Sequence, residues 1–252
     1  PFHSCEGYIA RLVAKGYKVA ICEQTEDPAK AKGLVKRDII RVITPGTVME
    51  SSMLDESKNN YICCMFAKNK HIGICFCDIS TGELYATEIS GKDSYNVLTS
   101  QLASYNPREI LIGGDIVKLK ELPKFIKSKL SAGVEMLEDD KFDYSVCKNT
   151  VSEHFKDESE NVSDSEVLVS SIGALLSYLK DTQKSGLERI NHIELYSESQ
   201  YMRLDYNTQR NLELTQTMLT KEKRGSLLWV IDKTKTAMGK RLIRSWLEHP
   251  LM

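Results

Sequence analysis

Carboxylates at the ends of neighbouring strands can hold two divalent cations, which stabilise the attacking and leaving oxygens of a phosphoryl transfer. In this sequence Asp78 closes one expected strand, Asp115 follows another, and Asp139 and Asp140 follow a third. That spacing admits a metal-dependent nuclease or phosphotransferase as one reading. Two observations weigh against it: the first strand of the set, Tyr61 to Ala67, carries no carboxylate, and aspartate is an ordinary turn residue. No G-x-x-x-x-G-K-[ST] cradle and no G-x-G-x-x-G turn occurs, and the five histidines are scattered singly. Cys63, Cys64, Cys75 and Cys77 fall on adjacent expected strands without a second spaced pair or a nearby histidine. They read as small buried hydrophobes in a reducing cytoplasm rather than metal ligands. No catalytic and no metal-binding residue is assigned.

Basic residues give the second kind of chemistry. Between Ala29 and Arg41 stand Lys30, Lys32, Lys36, Arg37 and Arg41 against the single acid Asp38, a group that reads equally as a grip on phosphates or as a solvated loop and edge. With 34 basic and 35 acidic side chains, nucleic-acid contact has to be local. Lys240, Arg241 and Arg244 read instead as the solvated side of a packed helix.

The elements that position these residues fall into three blocks. Residues 1–49 hold a helix from Cys5 to Lys15, capped by Ser4 and ended by Gly16, then strands Tyr17 to Cys22 (buried) and Ile39 to Ile43. One helix and two strands are too little to close a core, so this block is read as the end of an α/β domain that begins upstream. The opening Pro1 agrees with that reading. A polar linker spans 50–59. Residues 60–162 open with strands Tyr61 to Ala67, His71 to Ile79 and Glu83 to Ile89, joined by tight turns. A helix through Val97, Leu98, Leu102 and Tyr105 follows, then strand Glu109 to Ile112, helix Ile116 to Leu130 and strand Val134 to Leu137. This order is that of a mixed-sheet, RNase H-like α/β domain. Glu135 to Glu166, with eleven carboxylates against three lysines, reads as a mostly solvated connection with short helical pieces. Residues 163–252 are mainly helical, starting with a helix capped by Ser163 or Asp164 that carries Leu168, Ile172, Leu175 and Leu179. The last helices, Gly225 to Ile231 and Thr236 to Leu247, place Met238, Leu242 and Trp246 on one side.

Several strings resemble the bacterial MutS family of DNA mismatch-recognition proteins. Pro1-Phe2-His3-Ser4 with Glu6-Gly7-Tyr8, Val19 to Gln24 with Asp27-Pro28, Lys32 to Arg37, and Arg41 to Thr47 resemble the end of its first domain. Met202 to Asp205, Arg210 to Glu213, Gly225 to Leu228, Asp232 to Thr234 and Thr236 to Gly239 resemble the opening of its helical core. The resemblance implies three pieces: the C-terminal part of a mismatch-binding domain (1–49), a connector (60–162) and a truncated core (163–252). The full family member is implied to be a homodimeric, DNA-dependent ATPase, with ATP and Mg as cofactors. It binds duplex DNA containing mismatches, docks MutL through the connector and is cytoplasmic and nucleoid-associated. The family's Phe-x-Glu reader does not occur here, and its ATPase lies C-terminal to this stretch, so the piece itself is expected to be no enzyme. His3 matches a position near the DNA. His3, Lys30, Lys32, Lys36 and Arg37 are therefore the expected nucleic-acid-binding residues.

Overall fold

The computed structural model describes residues 4–27, 29, 33–156, 162, 164–184, 186–197 and 200–252. Helix α1 (Glu6–Ala14) leads into strands β1 (Val19–Gln24) and β2 (Arg37–Ile43), which pair antiparallel in a sheet of their own. Cys5, not Ser4, occupies the N-cap position, and it makes no side-chain cap. β1 was expected to be buried, yet most of it is exposed, because a two-stranded sheet with one helix covers a single face. The core of this unit is correspondingly small, made by Ile9, Val13, Ile43 and Val48.

The main body is a mixed sheet. Strands β3 (Ile62–Lys68), β4 (His71–Asp78) and β5 (Glu83–Ile89) form the expected antiparallel meander. Helix α2 (Ser94–Tyr105) crosses over to β6 (Glu109–Gly114), which runs parallel to β3, and β7 (Gly133–Met136) runs parallel to β6. With β8 (Glu194–Leu195) on the far side, the order is β7-β6-β3-β4-β5-β8. Both faces of β3 and β4 are buried, which explains their near-continuous apolar runs. Cys64, Cys75 and Cys77 enter the core on one face, and Cys63, Met65, Ile74 and Phe76 enter the core on the other.

Three expectations between Ile116 and Gln183 need correcting. The single helix Ile116 to Leu130 is a 3₁₀ turn (Asp115–Lys118), a short α3 (Leu122–Phe125) and a π turn (Ile126–Leu130). Pro123 is the reason: it lacks an N–H and fits only the first turn of a helix. The acidic stretch holds a true helix, α4 (Tyr144–Phe155), whose Cys147, Val151 and Phe155 recur every four residues and are buried. Asp143 caps it, accepting from Val146 N at 3.1 Å. The helix expected to open a separate core, α5 (Glu166–Gln183), lies instead across the sheet, with Ile172, Leu175 and Leu179 sharing a core with Ile62, Cys64 and Cys75. Its cap is Ser165, accepting from Leu168 N at 3.2 Å. α4 and α5 cross closely: a Cβ on Gly173 would lie 2.4 Å from Cys147 Cβ, so only glycine fits. The sheet is thus sandwiched between α4 and α5 on one face and α2 and α3 on the other.

Three short helices end the chain: α6 (Tyr206–Asn211), α7 (Leu227–Ile231) and α8 (Ala237–Glu248), capped by Asp205, Ser226 and Thr236. Met238, Leu242 and Trp246 do share a side of α8, but all three are exposed. No helix among the described residues is long and apolar enough to cross a membrane.

Candidate interdomain junction and nucleic-acid surface

The strand register settles the carboxylate question. Ile62 of β3 lies beside Cys77 and Glu109, whereas Ala67 at its other end lies beside Ile72 and Gly114. Asp78 therefore sits at one end of the sheet, and Asp115 and Asp139 sit at the other, several residues of roughly 3.3 Å rise away. Asp78 is also fully engaged: Oδ1 accepts from Ser80 N (2.9 Å) and Ser80 Oγ (2.6 Å), and Oδ2 accepts from Asn60 N and Asn59 Nδ2, both at 3.0 Å. It is a buried turn anchor. Asp115 is half-buried and bound to Lys118 at 2.5 Å.

A different carboxylate holds the molecule together. Glu109, the first residue of β6, is 3% exposed. Its Oε2 accepts from Gly46 N at 3.0 Å and from the Thr44 hydroxyl; its Oε1 accepts from the Tyr178 hydroxyl at 2.7 Å. The turn Thr44-Pro45-Gly46-Thr47 is preorganised for this, since Thr47 Oγ1 accepts from Thr44 N at 2.9 Å and Thr47 N donates to Thr44 O at 3.1 Å. Only glycine can approach so near: a Cβ on Gly46 would lie 2.8 Å from the Cβ atoms of both Glu109 and Ile62. Burial first, and then the Glu109 charge, push the Tyr178 hydroxyl well above the usual tyrosine range. It thus stays a proton donor to Glu109.

Arg41 extends the same junction. Its Nε donates to Gln183 Oε1 (2.7 Å), Nη1 to Glu50 Oε1 (2.5 Å) and Nη2 to Thr47 O (3.1 Å), while Gln183 Nε2 returns a bond to Val42 O at 3.1 Å. Lys18 reaches Glu135 on β7 and lies 5.2 Å over the Tyr178 ring. Arg41 had been counted with the phosphate-gripping group, but its guanidinium is committed to structure. Sequence reasoning missed Glu109, Tyr178 and Gln183 entirely. A lone acid opening an apolar strand was the only signal.

The chain's last residues meet the other face of the sheet. His249 lies against Tyr105, ring centroids 4.5 Å apart, and Tyr105 stacks on Phe76 at 4.0 Å. Neither His249 ring nitrogen has a hydrogen-bond partner among the described residues, and burial lowers its pKa to about 4. Gln209 Nε2 donates to Ser104 Oγ (2.8 Å), and Arg203 pairs with Asp93 (2.5 Å).

Of the expected nucleic-acid residues, His3, Lys30 and Lys32 lie outside the described residues. Lys36 and Arg37 are exposed neighbours at the loop end of the β1–β2 hairpin, where Arg37 pairs with Gln24. The Lys36 ammonium is 3.0 Å from Asp38, whose carboxyl is held below its usual range by that contact and by Thr25. Arg37 is left as the freer cation.

The sequence of the sheet-bearing body, residues 60–194, matches the family model of MutS domain II, more than half of the chain. The chain belongs to the MutS family. Residues 1–52 match MutS domain I and 207–252 match MutS domain III. The domain II match runs through α5 to β8, as the packing does. Glu109 therefore joins domain I to domain II, and the contact of His249 with Tyr105 joins domain III to domain II. Over its whole length the chain is 46% identical to the DNA mismatch repair protein MutS of Ruminiclostridium cellulolyticum and 45% identical to that of Acetivibrio thermocellus, spanning 29% of each. It is also 45% identical to that of Clostridium tetani, spanning 28%. The chain thus covers under a third of the relatives it matches.

Proposed function

We propose that this chain is the connecting part of a DNA mismatch repair protein, transmitting position between a mismatch-binding domain and a helical core. The observation that carries the reading is the seat of Gly46 and Thr44 on Glu109. A turn closing domain I is fixed into the central sheet of domain II by buried, directional bonds, and the same sheet carries domain III through Tyr105. Such a body moves as one piece with the end of domain I. The strand order, three antiparallel strands followed by two parallel ones, supports the RNase H-like description of domain II. In the complete protein, ATP with Mg, a homodimeric assembly and docking of MutL on domain II belong to the same proposal. So does duplex DNA, touched through Lys36 and Arg37 and, by the family resemblance, His3, Lys30 and Lys32.

A gel-shift titration with matched and G·T-mismatched duplexes at two salt concentrations tests this. The expected result is weak, salt-sensitive binding without discrimination, since no Phe-x-Glu reader is present. A clear preference for the mismatch would overturn the assignment of recognition to residues outside this stretch.

A further inference from the structure

β7 is the outermost strand of the sheet, and its pairing to β6 uses alternate residues. Gly133 N donates to Arg108 O at 3.0 Å and Leu137 N to Ile112 O at 3.1 Å. By the parallel ladder's alternation, the N–H groups of Val134 and Met136 point away from the sheet. These two residues are 48% and 69% exposed. They form one wall of an apolar groove of about 550 Å³, whose other walls include Ile112, Val117, Leu122 and Ile126. Unpaired strand edge and apolar groove therefore coincide on the face covered by α3. Natural edges are usually covered or blunted, because they template another strand.

The rim has a sign. Asp115 to Leu130 contains Lys118, Lys120, Lys124, Lys127 and Lys129 against Asp115 and Glu121, and Lys127 lines the groove itself. Lys118 and Lys124 are matched by those two acids. Lys129 lies over the Tyr206 ring, 5.1 Å from its centroid, which leaves Lys127 as the lysine at the groove itself and favours an occupant that brings a carboxylate.

We propose that this edge and groove dock an extended acidic–apolar segment of a partner protein, added beside β7 as a further strand. Its apolar side chains, at every second position, fill the groove over Val134 and Met136, and its acids meet Lys127. Main-chain bonds supply affinity and the alternate pockets supply selectivity. The inference deepens the docking role proposed for domain II and rests on that reading.

The test is fluorescence polarisation on the whole 252-residue chain with a labelled peptide of alternating aspartate and valine. The expected result is saturable binding in the micromolar range, weakened about ten-fold by Val134→Pro, which removes one outward N–H at an edge position that tolerates proline. Lys127→Glu weakens it about five-fold, and a peptide of the same composition with its valines in one block does not bind. Circular dichroism identical to that of the parent shows that each variant is folded; Met136→Asp, which leaves the backbone untouched and sets an acid against the acidic peptide, serves with the same expected weakening if Val134→Pro is not. Absence of saturable binding, or binding undiminished in the folded variants, overturns the proposal. So does a labelled single-stranded DNA that occupies the groove in place of the peptide, or sedimentation showing that the edge is taken by a second copy. Duplex binding through Lys36 and Arg37 is read separately, so failure here leaves the connecting role standing, and failure there leaves this result readable.

Discussion

The Tyr178 hydroxyl donates to Glu109 Oε1 at 2.7 Å, although the two residues come from α5 and β6 and lie 69 positions apart. The other oxygen of Glu109 is taken by Thr44 and Gly46, so one buried carboxylate receives donors from both sides of a domain boundary. A buried charge is tolerated only when it is well hydrogen-bonded. Here the bonds also fix how two domains meet.

Glu109→Ala leaves two hydroxyls and one amide without their acceptor. The expected cost is roughly 2–4 kcal/mol, in line with unsatisfied buried donors. Urea unfolding measures it. A loss below about 0.5 kcal/mol, the size of an ordinary surface change, would show that water replaces the carboxylate and that the junction is not held by it.

Gly46→Ala tests the same seat from the opposite side. The added methyl meets Cβ atoms of Glu109 and Ile62 at 2.8 Å, neither of them the end of a flexible chain. A destabilisation of about 1–3 kcal/mol is expected. Hydrogen exchange of the β2 amides should accelerate more than that of β4, because the turn is what lifts. Equal acceleration of both would contradict a local seat.

His249 gives an acid-side prediction. Burial lowers its pKa to about 4 from an unfolded value of 6.5. A folded-state pKa below the unfolded one means that stability is fully present above pH 6.5 and is lost as pH falls towards 4. Thermal unfolding followed across that window should show a decline on the order of 3 kcal/mol from this residue. In His249→Phe, which keeps a ring against Tyr105, that part of the slope should vanish. An unchanged slope would assign the acid sensitivity elsewhere.

The alkaline side is set by tyrosines. Burial raises the hydroxyls of Tyr61, Tyr85, Tyr105, Tyr178 and Tyr196, with nearby carboxylates or tyrosines adding to it. Their stabilisation is complete below the unfolded value of about 10 and falls away as pH rises beyond it. Tyrosinate absorbance from this group should therefore appear together with loss of the circular dichroism signal. Ionisation of the group in a still-folded protein would contradict the packing.

At the nucleic-acid surface, Arg37→Glu should weaken duplex binding uniformly across sequences and lower the salt slope by about 1. Lys36→Glu should do less, because Asp38 already offsets that charge. Equal effects from both would mean that the Lys36–Asp38 pair opens on DNA.

The features governed by neighbours along the chain were legible before any fold was known. The meander β3–β4–β5 was legible because alternating and continuous apolar runs are cut by tight turns. The last two helices, expected over Gly225 to Ile231 and Thr236 to Leu247, were legible as helices, but the caps were not: Cys5 and Ser165 stand where Ser4 and Ser163 or Asp164 were expected, and Ser226 and Thr236 were found as caps only in the structure. The order of the three blocks followed from strings that are themselves contiguous. Lys36 and Arg37 could be read as exposed cations, since a basic run in a loop has nothing nearby to bury it. Which side chains meet across long separations emerged with the folded chain. It sent α5 back onto the sheet, which periodicity alone cannot do, because an apolar stripe says that a helix is covered and not by what. It separated Asp78 from Asp115 by strand register and withdrew Arg41 from the phosphate-gripping group. It also turned Glu109, an unremarked acid between Arg108 and Ile110, into the point where two domains join. Hydrophobic pattern and capping are encoded within a few residues, whereas the partners of a buried polar group are fixed only when distant segments close around it.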